Sequence, residues 1–145
     1  MTKSILCAVD ISQTSSEEEV LKTAAKLAEL DGASLDIVTV VPNFGMNLVG
    51  TYFDENFQKQ AVKEAKERLH EMVTSVLGAK WDEKVRHIVA AGSIYEEILQ
   101  LADQTNADLI VIGAHKPDLK DYLLGPNSAR VVRHSTCSVY VVREN

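Results

Sequence analysis

The sequence predicts an α/β fold in which one doubly wound sheet of five parallel strands is flanked by helices on both faces. Short apolar runs alternate with longer amphipathic segments along the chain, in the order β-α-β-α-β-α-β-α-β. An apolar run without polar interruption is typical of a strand buried on both faces of a parallel sheet. The segments between the runs are long enough for right-handed crossovers. We expect residues 1–145 to form one domain.

Composition and charge exclude several classes of function. The chain has 46% hydrophobic and 25% charged residues, which is ordinary for a globular protein. Its net charge of −6, without a stripe of Lys and Arg, argues against nucleic-acid binding. No apolar run approaches the ~18 residues of a membrane span, and we expect neither membrane attachment nor a signal peptide. Cys7 and Cys137 lie in apolar runs, which favours buried reduced thiols over a disulfide or a reactive site, and hence a cytoplasmic protein.

The first strand, residues 4–9, is predicted to lie at the centre of the sheet and is followed by Asp10. Open α/β sheets place ligands at the carboxyl ends of their strands, so Asp10 is a candidate ligand-binding residue. An Asp that only turns the chain is the alternative.

The first helix is predicted to run to Asp31 and to end at Gly32 as its C-cap. Ser15 and Glu18 have the spacing of a capping box at its start. Acidic residues 17–19 are expected to fill its first turn, where they satisfy the helix dipole and repel phosphate. This helix start is therefore a poor phosphate site.

The second strand is predicted over residues 34–41, and residues 43–53 form a loop with apolar side chains and little charge. Such a loop is a cover over a site, part of a subunit contact, or a connection without a specific role. A long amphipathic helix follows, from Asp54 or Asn56 to about Leu77.

The third strand is predicted over residues 85–91, and Gly92 and Ser93 lead into a helix with Ser93 as an N-cap candidate. The fourth strand contains residues 107–112, and the fifth spans residues 137–142. No helix follows the fifth strand in this pattern, so its outer edge is expected to be unpaired. An apolar exposed edge favours pairing with another chain.

The stretch after the fourth strand is predicted to bind phosphate. Gly113 ends the strand, and Gly125 and Pro126 precede a helix whose first turn contains no acid. The free N–H groups and positive dipole end of that helix suit an anion. Asn127 and Ser128 supply backbone N–H groups, and the Ser128 hydroxyl is a further candidate donor.

This stretch resembles the nucleotide-binding signature of the universal stress protein family, Gly-x2-Gly-x9-Gly-Ser/Thr. Gly113 and Gly125 match its first and third glycines. Lys116 stands in place of the second, the spacer after it has eight residues instead of nine, and Pro126 replaces the Ser/Thr. The start ILCAVDIS and the tail VVRHSTCSVYVV extend the resemblance over the whole chain, and the loop is similar to that of one bacterial subgroup.

The resemblance implies a Rossmann-like fold of the adenine nucleotide alpha hydrolase type, with strand order 3-2-1-4-5. It also implies ATP as the ligand, with or without Mg²⁺, and a homodimer through the C-terminal strand or a higher oligomer. Asp10 would meet the ribose or the adenine, Val40 would present a backbone group to adenine, and Lys116 either contacts the phosphates or stays in solvent. The cofactor-binding residues expected on this basis are Val9, Asp10, Val40, Ile112, Gly113, His115, Lys116, Gly125, Pro126, Asn127 and Ser128.

Two functions remain open: an ATP-binding regulatory module of the stress response, and a dimeric interaction protein whose altered loop no longer binds nucleotide. No catalytic residue is assigned, because no nucleophile and base stand in a recognisable motif; we expect at most slow ATP hydrolysis. His115 has no partner at metal-ligand spacing, and His70 lies near an apolar helical stripe. We therefore expect no metal site formed by protein side chains alone.

Overall fold

The computed structural model describes residues 2–41, 55–114 and 126–143, in which five strands and five helices are found. The strands are β1 (Ser4–Ala8), β2 (Ser34–Val41), β3 (Arg86–Ala91), β4 (Leu109–Ala114) and β5 (Ser138–Arg143). The helices are α1 (Thr14–Asp31), α2 (Glu55–Leu77), α3 (Ala79–Lys84), α4 (Ile94–Gln104) and α5 (Pro126–His134). The predicted loop over residues 43–53 lies outside the described residues.

All five strands form one parallel sheet in the order β3-β2-β1-β4-β5, which confirms the predicted topology. β1 lies at the centre, where Cys7 stands opposite Ile37 of β2 and Val111 of β4. The carboxyl ends of the strands therefore lie together at one edge of the sheet. This is the doubly wound, Rossmann-like α/β architecture.

Two apolar layers cover the two faces of the sheet. Ile5 and Cys7 of β1 belong to a cluster with Leu21 of α1 and Leu69 of α2. Leu6 and Ala8 point to the opposite face, where the second cluster contains Ile98 of α4 and Val131 of α5. Because successive side chains of a strand point to opposite faces and both faces are covered, residues 5–8 of β1 are all apolar.

The predicted capping box at the start of α1 is wrong. The helix begins at Thr14, so Ser15 lies inside it, and the N-cap residue Gln13 makes no capping hydrogen bond with its side chain. Glu18 pairs instead with Lys22, one turn further along the helix, at 2.7 Å.

Asp10 is the physical reason for this early start. Its Oδ1 accepts hydrogen bonds from the backbone N–H and the hydroxyl of Ser12, at 2.9 and 2.6 Å. Its carbonyl oxygen accepts a further bond from the N–H of Gln13. This turn directs the chain into α1 before Ser15 is reached.

Two glycines end helices in the left-handed region of backbone space. Gly32 caps α1 with φ 63°, as predicted. Gly78, with φ 96°, ends α2 and is followed at once by α3, which the sequence pattern did not reveal. α3 is six residues long and buries none of its residues, so it carries no apolar periodicity.

The two cysteines differ in their surroundings, and neither forms a disulfide. Cys7 is buried at the centre of the sheet, and burial, followed by the charge of Glu17, raises the pKa of its thiol. A thiol held protonated in this way is unreactive. Cys137 is half-buried rather than buried, because it precedes β5 at the edge of the sheet. Within the three described ranges, no helix has the length and apolar character needed to cross a membrane.

Candidate functional site

The carboxyl ends of β1, β2 and β4 meet the first turns of α4 and α5 around a cavity of about 380 Å³. A volume of this size falls in the range of small-molecule sites, roughly 300–1,000 Å³. The place also agrees with the general position of ligands in open α/β sheets, just beyond the ends of the strands.

The fold brings eight of the eleven predicted site residues to this cavity. They come from the two residues after β1, from β2 and β4, and from α5, and they meet because the carboxyl ends of the strands lie together. These residues are Val9, Asp10, Val40, Ile112, Gly113, Pro126, Asn127 and Ser128. The other three, His115, Lys116 and Gly125, lie outside the described residues.

Five further residues line the cavity and were not predicted as site residues: Ala8, Glu17, Val38, Ile94 and Ile98. Ile94 and Ile98 stand one helical turn apart at the start of α4, which follows the carboxyl end of β3. Apolar residues at this spacing are typical of the core face of a helix, and the position of α4 just after the carboxyl end of β3 is the signal that could have identified them.

One wall of the cavity is apolar. Val38 and Val40 come from β2, Ile112 from β4, and Ile94 and Ile98 from α4. Ile98 and Val38 are buried, and Ile94 is largely exposed at the rim. Branched aliphatic side chains arranged in this way offer apolar contact to one flat, weakly polar group, such as a heterocyclic ring.

The start of α5 contributes a polar part of the lining. Pro126 is the first residue of the helix, as predicted, and the first turn contains no acidic residue. The backbone N–H groups at a helix start have no partner within the helix, and the dipole adds partial positive charge there. Pro126 itself has no N–H to contribute. This end of the cavity therefore suits an anionic group, with Asn127 and Ser128 nearest to it.

The Ser128 hydroxyl has a different partner from the one expected. It is buried and donates a hydrogen bond of 2.8 Å to the carbonyl oxygen of Gly113. A hydroxyl has one proton, so in this geometry Ser128 cannot also donate to a ligand. The bond instead fastens the first turn of α5 to the end of β4.

Asp10 and Glu17 form the acidic side of the cavity. The Glu17 carboxylate is only 2% exposed, and its Oε1 accepts a 2.9 Å hydrogen bond from the backbone N–H of Asp10. Of the three acids expected in the first turn of α1, only Glu17 lies there, because the helix begins at Thr14. An acidic group beside the cavity disfavours phosphate near it, whereas the first turn of α5 contains no acid.

Asp10 forms a turn after β1 and also lines the cavity. Its Oδ1 holds the turn with Ser12, and the residue also lines the cavity while half-buried. The turn fixes the orientation of the carboxylate toward the cavity edge, because one of its two oxygens is already bound.

Comparison with known proteins gives a consistent result over the whole length. The sequence model described as the universal stress protein family matches residues 1–143. Universal stress protein G of Shigella flexneri is 30% identical over 145 residues, covering 99% of this chain and 100% of the relative. Universal stress protein A homolog 1 of Coxiella burnetii is 31% identical over 143 residues, covering 97% of this chain and 95% of the relative.

Solved structures share the fold. The protein MJ0577 of Methanocaldococcus jannaschii superposes with a TM-score of 0.80 at 26% identity, covering 100% of this chain and 98% of that one. A universal stress protein from Archaeoglobus fulgidus in complex with dAMP has a TM-score of 0.61 at 22% identity, with 96% of both chains covered. A universal stress protein in complex with cAMP has a TM-score of 0.67 at 17% identity, with 97% of both chains covered. At 22% and 17% identity, the similarity to the dAMP and cAMP complexes shows a shared fold.

Proposed function

Because this chain belongs to the universal stress protein family, we propose that it binds ATP in the cavity at the carboxyl ends of β1, β2 and β4. The observation that carries the proposal is the convergence of an apolar wall and an acid-free helix start on one cavity of about 380 Å³. Adenine nucleotides in two structures of the same fold, dAMP and cAMP, support this class of ligand.

The two sides of the cavity orient the ligand. The adenine ring packs against the aliphatic wall, including Val40, Ile98 and Ile112. The phosphates lie at the first turn of α5, near the backbone of Asn127 and Ser128. The reverse orientation would place phosphate against the buried carboxylate of Glu17, at a cost in electrostatic free energy.

The described residues that line the cavity include neither Lys nor Arg. The positive charge that would balance the phosphates therefore comes from other residues. We assign this role to Lys116, which replaces a glycine of the family signature, together with the dipole of α5. Mg²⁺ would accompany ATP and be held mainly by the phosphates.

The consequence of binding is regulatory. The described residues around the cavity include two carboxylates but no nucleophile paired with a base, so we assign no catalytic residue and expect at most slow ATP hydrolysis. Bound nucleotide would order β4 and α5, and β5 pairs directly with β4. We infer that occupancy of the cavity alters dimerisation through β5 in a cytoplasmic, single-domain protein.

Replacement of Gly113 by Val tests the site. Gly113 lines the cavity at the end of β4, so a branched side chain there should take the space of the ligand. Isothermal titration calorimetry should show ATP binding by the unchanged chain and no measurable binding by Gly113→Val.

Ala33→Val is the matched control for added bulk. Ala33 precedes β2 at the amino ends of the strands, away from the cavity at their carboxyl ends. It should bind ATP as the unchanged chain does, and circular dichroism should show both variants folded. Full-strength ATP binding by a folded Gly113→Val chain would remove the site assignment.

A nucleotide-independent dimer is the second candidate function, because Pro126 and the engaged Ser128 hydroxyl leave fewer phosphate donors than the family signature provides. Mass spectrometry of small molecules released on denaturing the purified chain separates the two functions. An adenine nucleotide is expected; its absence, together with no ATP binding by calorimetry, would favour the second.

A further inference from the structure

Three titratable side chains meet near the amino end of β3, whereas the cavity lies at the carboxyl ends of the strands. They are His70 of α2, Asp82 of α3 and His87 of β3. Nε2 of His87 lies 2.7 Å from Oδ1 of Asp82. Nδ1 of His70 lies 3.1 Å from each oxygen of the same carboxylate. The three ligand atoms lie within 4.8 Å of one another, and no other such group forms among the described residues.

The two imidazole rings are stacked, with centroids 3.6 Å apart and an angle of 23° between their planes. Two imidazolium ions at this distance would repel each other, so the stack favours at least one neutral ring. The His87 side chain is 5% exposed, so its ring lies inside the folded chain. Neutral imidazole is the form that offers a lone pair to a metal ion.

The carboxylate of Asp82 lies close to both rings. Its Oδ1 is 2.7 Å from Nε2 of His87 and 3.1 Å from Nδ1 of His70. The neighbouring Arg86 does not compete for Asp82, because its guanidinium makes two hydrogen bonds to Asp36, at 2.8 and 3.1 Å. The cluster therefore joins one negative oxygen donor to two nitrogen donors.

Two histidines and one carboxylate are a donor set that Zn²⁺ takes in sites with three protein ligands and one open position. Bonds of roughly 2.0–2.1 Å in a tetrahedral site place neighbouring ligand atoms about 3.3 Å apart. The separations of 2.7 Å between His87 and Asp82 and 3.1 Å between His70 and Asp82 would have to lengthen by about 0.6 and 0.2 Å. The half-exposed His70 ring would also turn off the stack, because the ring nitrogens of two stacked imidazoles do not point at one ion.

We propose that His70, Asp82 and His87 form a binding site for a divalent transition-metal ion of the zinc type. The ion would join α2, α3 and β3. It would stabilise the folded chain because it binds the folded state and not the unfolded state. This site is independent of the proposed ATP cavity. The sequence pattern did not show it, because its residues are separated by 12 and 5 positions on three different elements and form no fixed-spacing motif.

Calorimetric titration of ZnCl₂ into the full chain, freed of metal by a chelator and without nucleotide, tests the proposal. One ion should bind per chain, and the melting temperature should rise in the presence of Zn²⁺. His87→Gln should weaken Zn²⁺ binding by more than about tenfold, since even loss of an outer-sphere partner costs that much. His70→Gln should weaken Zn²⁺ binding in the same way. Because His70 is half-exposed, this variant is expected to fold and tests the site even if His87→Gln does not fold.

His134→Gln is the matched control, because His134 is exposed at the end of α5 and away from the cluster. It should bind Zn²⁺ as the unchanged chain does. Co²⁺ should give the visible spectrum of a four-coordinate site with nitrogen and oxygen ligands. Absence of saturable Zn²⁺ binding, unchanged binding in both cluster variants, or sulfur-to-cobalt charge-transfer bands would each overturn the proposal.

Discussion

Ser128 illustrates how the partner of one hydroxyl changes the interpretation of a site. In sequence, a serine at the start of a helix is a capping or ligand-binding candidate, because the direction of its hydrogen bond is not visible in the pattern. In the structure the hydroxyl donates to the carbonyl oxygen of Gly113, fifteen residues earlier. It thereby joins β4 to α5, the two elements next to the proposed phosphate position.

Replacement of Ser128 by Ala should lower the free energy of unfolding by about 1 kcal/mol, because a buried hydrogen bond is lost without a new partner for the carbonyl. Urea denaturation monitored by circular dichroism measures the change. Ser15→Ala, an exposed serine inside α1, is the control and should change stability by less than about 0.5 kcal/mol. A loss no greater than that of the control would contradict the role assigned to Ser128.

Glu17 lines the cavity but could not be predicted as a site residue from the sequence. The predicted site residues that line the cavity stand at strand ends or at one helix start, positions that topology brings to the same edge. Glu17 reaches the cavity because its buried carboxylate binds the backbone of Asp10. An acid in the first turn of a helix ordinarily remains in solvent, so only packing reveals this contact.

At the scale of the elements, the strands were more predictable than the helix starts. Residues 34–41 were predicted as a strand and correspond to β2, Ser34–Val41, because the buried middle of the strand is rich in β-branched residues. The predicted N-cap of α1, Ser15, was wrong. Asp10 forms a turn that starts the helix earlier, so Ser15 lies inside it. α3 was missed because six residues without a buried face give no periodic signal.

Asp108 connects two neighbouring strands at their amino ends. Its Oδ2 accepts the backbone N–H groups of Lys3 and Ser4, at 2.8 and 3.1 Å. Its own N–H donates to the carbonyl oxygen of Ser4. The side chain thus satisfies donors at the start of β1 from the residue that precedes β4.

The two backbone hydrogen bonds lower the pKa of Asp108, so folding favours its ionised form. Its contribution to stability is present above the unfolded pKa, about 3.9, and is lost as the pH falls through the lower pKa of the folded state. Asp108→Ala should therefore destabilise the chain at pH 7, and the difference from the unchanged chain should shrink in acid.

Urea denaturation at pH 7 and at the lowest pH that keeps the chain folded measures this difference. Asp103→Ala, an exposed acid of α4, should show no such change with pH. A destabilisation by Asp108→Ala that stays constant in acid would show that the charge is not involved.

At the scale of the whole molecule, β5 is the strand most suited to contact a second chain. It lies at one edge of the sheet and pairs with β4 on its inner side. Tyr140, at the middle of β5 and opposite Val111, is 46% exposed. A half-exposed strand that ends the sheet of the described residues favours addition of a strand from a partner.

Proline substitution tests dimerisation through this edge. Successive residues of a parallel strand direct their N–H groups to opposite sides, so one of Tyr140→Pro and Val141→Pro removes an outward N–H and the other removes a bond to β4. Light scattering should show a dimer for the unchanged chain and weakened dimerisation in the outward variant.

Tyr140→Thr is the control, because it removes the ring and keeps both the N–H and a good strand propensity. It should remain more dimeric than the outward proline variant. A monomer for the unchanged chain at micromolar concentration would refute pairing through β5.

β2 extends between the two proposed sites. Val38 and Val40 line the cavity, whereas Asp36, near the other end of the strand, is bound to Arg86, the neighbour of His87. Local opening of β2 would therefore disturb both sites, and an occupant of either one should slow hydrogen–deuterium exchange of its amides. Amides of β5 should respond to nucleotide alone, because β5 contacts the cavity through β4 and lies at the edge of the sheet opposite β3. The exchange pattern of two strands would thus distinguish which of the two sites is filled.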